Sequence, residues 1–144
     1  MDFAEELAGL LPPDVPNREL LIQKGALHLD RIVEANQNFN LTRITTTREA
    51  AIKHVLYSVL PWQLFAGATH ILDAGTGAGF PGIPLAVALP DVGFTLAESV
   101  GKKARFVEAA AAELGLSNVR VEALRAEDIL ARSAFPAGSR LILT

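Results

Sequence analysis

The segment that most constrains this chain runs Ile71-Leu72-Asp73-Ala74-Gly75-Thr76-Gly77-Ala78-Gly79-Phe80-Pro81-Gly82. An apolar strand enters a turn with glycine at alternate positions, and a helix follows over Ile83 to Leu89 until Pro90 ends it. Glycine carries no Cβ and tolerates positive φ, so the turn can bend tightly and bring bare backbone against a ligand. Pro81 suits the first turn of the helix. A structural turn explains glycines alone; strand, loop and helix in this order point to a binding loop.

The elements around it extend the pattern. Phe94 to Ala97 makes the next strand, Lys102 to Leu114 the next helix, and Gly115 a natural residue to end it. Val119, Val121 and Ala123 alternate with Arg120 and Glu122, which predicts a strand with one buried face. Leu141-Ile142-Leu143 is one further strand. Strand alternating with helix predicts an α/β fold, a parallel sheet with helices on both faces. Ahead of it the chain is helical. A short acidic helix precedes Leu11-Pro12-Pro13, and a longer one follows Asn17, a good N-cap residue. Ile22, Ala26, Leu29 and Val33, with Ile32 beside them, give that helix an apolar stripe ending near Asn36 to Asn40. Thr46 and Glu49 read as a capping box for the next helix, which turns Ala50, Ala51, Val55 and Val59 inward and stops at Pro61. Residues 1–66 therefore read as an N-terminal helical extension, and 67–144 as the first part of a doubly wound domain. The expectation is a piece of a longer protein whose outer strands lie beyond Thr144.

Half of the 144 residues are hydrophobic, enough to build a core and to argue against disorder. There is no cysteine, which excludes disulfides, thiolate metal sites and a cysteine nucleophile, and fits a reducing compartment. Thirteen basic against sixteen acidic residues give a net charge of -3. Neither half is a basic tail, so any grip on nucleic acid must come from a local patch. The acidic start, Met1-Asp2-Phe3-Ala4-Glu5-Glu6, is unlike a signal peptide, and apolar runs such as Leu85 to Leu89 are far too short to span a membrane.

Two ligand classes compete for the loop. A dinucleotide asks for G-x-G-x-x-G, which Gly77, Gly79 and Gly82 supply in a late register, with Pro81 removing an amide. S-adenosylmethionine carries a cationic sulfonium and an amino-acid tail, and suits an acidic residue two before the first glycine, where Asp73 stands. Asp73 can face the ligand's ammonium or hold the loop's own amides. Glu98 ends the second strand, where a carboxylate can accept the ribose hydroxyls of either cofactor. Ala126-Glu127-Asp128 follows the third strand at the same edge, placed to hold an adenine ring or to cap a helix.

Lys102, Lys103 and Arg105 open a helix, where cations oppose the dipole, so either a phosphate-bearing substrate or a solvated, salt-bridged face accounts for them. Arg125 stands nearby, and Arg43, Lys53 and His54 could add a second basic element. His28, His54 and His70 are too scattered for a metal motif. Ser58 and Thr76 have no evident base partner, which leaves covalent nucleophilic catalysis unsupported.

Four ordered segments resemble the bacterial 16S ribosomal RNA guanine-N7 methyltransferases, the glucose-inhibited division protein B family. They are Phe39-Asn40-Leu41-Thr42, Lys53-His54-Val55-Leu56-Tyr57-Ser58, Asp73 to Pro84, and Glu98 to Phe106. The resemblance spans about residues 20–144. It implies a Rossmann-like fold and methyl transfer from S-adenosylmethionine to N7 of a guanine, position 527 of 16S ribosomal RNA, in the small ribosomal subunit or its precursor. It also implies a cytoplasmic enzyme, acting as a monomer and away from membranes. Carried over position by position, Gly75 and Phe80 match the family's cofactor loop, Ala126 and Glu127 its adenine-side pair, and Lys102, Lys103 and Arg125 basic positions near the RNA. Gly77 of the loop and Glu98 at the strand end complete the expected cofactor-binding set. An Arg-Ala pair would follow the fourth strand directly. Tyr57 stands where the family usually has aspartate, and Glu98 where aspartate is commoner. Guanine N7 carries no proton to remove, so the reaction needs alignment and no general base. The rival readings are a nucleotide-linked oxidoreductase and an inactive RNA-binding fragment.

Overall fold

A computed structural model of the chain describes residues 2–41, 48–132 and 137–143. Helix α1 spans Phe3–Leu10, α2 Arg18–Asn36 and α3 Arg48–Val59, followed by a 3-10 turn over Trp62–Leu64. The remainder alternates: β1 His70–Ala74, α4 Gly82–Ala88, β2 Gly93–Ala97, α5 Gly101–Glu113, β3 Val119–Glu122, α6 Ala126–Arg132 and β4 Ser139–Leu143. All pairings are parallel, in the order β3-β2-β1-β4. Strand order reverses between β1 and β4, and in such sheets the ligand crevice lies at the carboxyl ends of the strands at that point.

Burial follows from the sequence pattern. β1 and β2 are buried on both sides after their first residue, as expected of strands covered by helices on both faces. One apolar cluster runs without a break from Leu7 of α1 through Leu21, Leu29 and Ile32 of α2 and Ile52 and Val55 of α3 into α4, β1 and β2. On the opposite face of the sheet a smaller cluster joins Leu72 and Ala97 to Ile129 of α6.

Several local expectations are corrected. Asn17 does not cap α2 with its side chain: its backbone is left-handed at φ 52°, and its amide donates to the Val87 carbonyl at 3.2 Å. Val33 is exposed, because the buried face of α2 is carried by Leu21, Ile22, Gly25, Ala26, His28, Leu29 and Ile32. Ala50 is only partly buried, and Ala123 lies past the end of β3 and is exposed. Among the described residues β3 is an edge strand, and its Val119 and Val121 are half-buried where a central strand would bury them fully. Thr46 of the expected capping box, with Thr42 and Arg43, lies outside the described residues; Glu49 pairs instead with Lys53 one turn on, at 3.1 Å. Among the described residues no helix is long and apolar enough to cross a membrane.

Candidate nucleoside-binding site

The glycine turn leaves β1 at its carboxyl end. Gly75, Gly77 and Gly79 take φ of 70°, 63° and 106°, a region that side chains disfavour. The turn is pinned to the neighbouring strand by the amides of Gly75 and Thr76, which both donate to the Ala97 carbonyl at 2.9 and 3.0 Å. Asp73 holds it from beneath. Its side chain is fully buried, and Oδ2 accepts from the Thr76 hydroxyl at 2.8 Å and the Gly82 amide at 3.0 Å. Oδ1 is buried and has no hydrogen-bond partner among the described residues. Burial pushes the carboxyl up to about 7, with the charge of Glu98 adding to the rise, against the lowering effect of its two hydrogen bonds. Of the two roles open to Asp73, holding the loop is the one its contacts display.

Gly82 closes this arrangement. A Cβ there would collide with the Leu96 side chain and sit 2.9 Å from Asp73 Oδ2. Its amide is already given to Asp73, so the late G-x-G-x-x-G register has no third amide to offer a pyrophosphate. That geometry weighs against the dinucleotide reading.

Glu98, 7% exposed just past β2, bridges the turn and the next helix. Oε1 accepts from the Gly77 amide and Oε2 from the Val100 amide at the start of α5, both at 2.9 Å. A carboxylate is favourable there, because helix N-termini carry partial positive charge. Each oxygen keeps a further lone pair for a ligand hydroxyl.

A cavity of about 780 Å³ opens above the turn, within the range of roughly 300–1,000 Å³ usual for small-molecule sites. Gly75, Gly77 and Phe80 of the turn line it, together with Lys103 of α5. Its other wall comes from the helical extension: Asn36, Asn40, Leu41, His54, Tyr57 and Ser58. Lys102 is exposed on the first turn of α5. Ala126 and Glu127 start α6 beyond β3 and do not line this cavity; exposed Glu127 faces Arg125 at 3.9 Å. The structure thus gathers Gly75, Gly77, Phe80, Glu98 and Lys103 around one turn and sets Ala126, Glu127 and Arg125 apart.

Two histidines clamp the loop, a role the sequence did not assign to them. His28 is fully buried, and its Nε2 donates to the Ala78 carbonyl at 2.8 Å, since a carbonyl can only accept. Burial pushes this imidazole down to about 4, so it is neutral at physiological pH. Its ring stacks on Phe80 at 4.8 Å, and His54 meets Phe80 edge-on at 4.3 Å. His28 falls on the buried face of α2, one turn from Gly25 and Ile32, which is the signal that could have found it.

A glycine turn after the first strand, an acid after the second and this strand order define an α/β domain built to hold a nucleoside-type cofactor. The fold is similar to that of the O-methyltransferase TomG from Streptomyces achromogenes, solved with S-adenosylmethionine. There the TM-score is 0.59 and the identity 26%, over 81% of this chain and 53% of that one. It is also similar to an O-methyltransferase from Bacillus cereus in complex with S-adenosylhomocysteine, with TM-score 0.60 and 20% identity over 80% and 53%. The family model for rRNA small subunit methyltransferase G matches residues 21–137, and the chain belongs to that family. Among curated relatives, ribosomal RNA small subunit methyltransferase G of Solibacter usitatus is 65% identical over 130 residues. That match covers 90% of this chain and 62% of the relative. The protein of the same name from Myxococcus xanthus is 48% identical over 99 residues, 69% of this chain and 46% of the relative. The chain therefore spans between about half and two-thirds of the length of these relatives.

Proposed function

We propose that the protein transfers a methyl group from S-adenosylmethionine to N7 of guanine 527 in 16S ribosomal RNA, acting in the cytoplasm on the small subunit or its precursor. The observation that carries this reading is the cavity above the glycine turn, in a chain of the rRNA small subunit methyltransferase G family. The turn fits a nucleoside cofactor because it offers backbone, not side chains. Thr76 is turned inward to Asp73, and the position of a Cβ on Gly77 meets nothing within 4 Å.

S-adenosylmethionine supplies an electrophilic sulfonium methyl, and guanine N7 needs no proton removed to accept it. The work of this chain is accordingly to bind and to align. Gly75 and Gly77 give the close backbone approach, and Phe80, gripped by two imidazoles, makes a rigid wall. Glu98 accepts from ribose hydroxyls with its remaining lone pairs, and Ala126 and Glu127 flank the adenine. Lys103 at the cavity, with Lys102 and Arg125 outside it, attracts RNA phosphates. No buried acid or base is required over N7, in keeping with Asp73 being occupied beneath the turn.

Calorimetric titration of the whole protein with S-adenosylmethionine, followed by methyl transfer to undermethylated small subunits, tests the reading. Binding, with the label mapped to guanine N7, supports it. Displacement of S-adenosylhomocysteine by NADH, or binding to subunits without methyl transfer, would replace it with one of the two rivals.

A further inference from the structure

Tyr57 is the only tyrosine of the chain and stands 63% exposed, yet it lines the same cavity as the glycine turn. Its place on α3 explains how. His54, one turn earlier, meets the Phe80 ring at 4.3 Å, and Ser58 beside it is buried with its hydroxyl donating to the His54 carbonyl at 2.8 Å. Residues three and four apart share one helix face, so α3 turns His54, Tyr57 and Ser58 together toward the cavity. His54 and Ser58 are taken up in packing. Tyr57 is not: its ring reaches the cavity and remains open to solvent.

An exposed aromatic ring with no ring partner among the described residues offers a nucleic acid a flat apolar face, beside the hydroxyl that tyrosine also carries. Single-stranded or flipped-out bases are held this way, because every base has a π-face and stacking expels water from both. Chemistry at a base edge requires that base to leave its stack and enter the pocket. The glycine turn and Lys103 line the same cavity as Tyr57, bringing a backbone cradle and a phosphate-seeking charge to it. Asn40, exposed at the rim, adds an amide that can donate and accept along a base edge.

Resting on the proposed methyl transfer, we infer that Tyr57 is the stacking platform for the acceptor base, in the cavity it shares with the cofactor turn. The occupant is the guanine of the RNA, not the adenine of the cofactor.

The test is steady-state methyl transfer by the whole protein to undermethylated small subunits, with S-adenosylmethionine affinity measured separately by calorimetry. Tyr57→Ala and Tyr57→Leu should each lower kcat/KM for subunits roughly ten-fold or more, the loss typical of one base–aromatic stack. S-adenosylmethionine affinity should stay within two-fold, and Tyr57→Phe should keep near-normal kcat/KM because the ring is retained. The exposed position leaves thermal stability of all three variants unchanged. A Tyr57→Ala protein with kcat/KM within two-fold of wild type overturns the inference and leaves the methyltransferase reading standing. So does a fall in cofactor affinity that matches the fall in kcat/KM, or a Tyr57→Leu variant as active as Tyr57→Phe. Wild-type protein that methylates no subunit removes the reading, and the inference with it.

Discussion

Two buried titratable groups grip the same turn from opposite sides, and their pH dependences oppose each other. Asp73 is raised to about 7 from an ordinary 3.8, so its protonated form is the one favoured by folding. Its contribution is fully present below about pH 4 and is lost as pH rises to 7. At about 1.4 kcal/mol per pKa unit this amounts to about 4 kcal/mol. His28 is lowered to about 4 from 6.5, so its neutral form is favoured. Its contribution is present above pH 6.5 and is lost as pH falls to 4, about 3 kcal/mol. Burial also lowers His54 and His70, in the same direction as His28. In the wild-type protein the contributions of Asp73 and His28 should therefore nearly cancel between pH 4 and 6.5, leaving only the smaller rise from the other groups. Asp73→Asn keeps an oxygen for Thr76 and Gly82 but cannot titrate, and it exposes the histidine slope. Its stability should climb by about 3 kcal/mol from pH 4 to 6.5. Urea unfolding followed by the fluorescence of Trp62, the single tryptophan, reads this directly. An Asp73→Asn profile as flat as that of the wild type would refute the assignment of either group as buried and opposed.

Other perturbations separate the parts of the site. Gly82→Ala should destabilise by about 1–3 kcal/mol through overpacking against Leu96 and Asp73, read as a lower urea midpoint at unchanged m-value. Glu98→Ala leaves the Gly77 and Val100 amides without their acceptor, and should weaken S-adenosylmethionine binding by ten-fold or more in calorimetry. Lys102→Ala should weaken RNA binding with little effect on the cofactor. In filter binding it should lower the slope of log affinity against log salt by about 0.7–0.9.

What the sequence disclosed and what it withheld divide along the range of the interactions. β1, β2 and the turn between β1 and α4 were legible because their signals are local: unbroken apolar residues for doubly covered strands, then glycines where the chain takes positive φ. Glu98 was placed at the turn by counting, since the end of β2 must lie beside the end of β1. The failures involve partners far along the chain. Asn17 looks like a cap but spends its amide on Val87, seventy residues away. Val33 continues an apolar run, yet the helix face that meets α4 and α5 passes through His28 and Ile32 instead. Ala126 and Glu127 follow the third strand as expected, where they start α6 without lining the cavity at the turn. His28 and His54 read only as too scattered for a metal motif, while their structural use, against Phe80 far along the chain, is to hold that ring from two sides.

The central claim is that a nucleoside cofactor sits against the bare backbone of residues 75–80. A crystal structure of the whole protein with S-adenosylhomocysteine tests it most directly. The ligand should lie along residues 75–80, with its ribose hydroxyls on Glu98, its adenine beside Ala126 and Glu127, and its sulfur-bearing end in the cavity toward α3. Ligand bound elsewhere on the molecule, or a turn still packed shut beneath it with Glu98 out of reach, would contradict it.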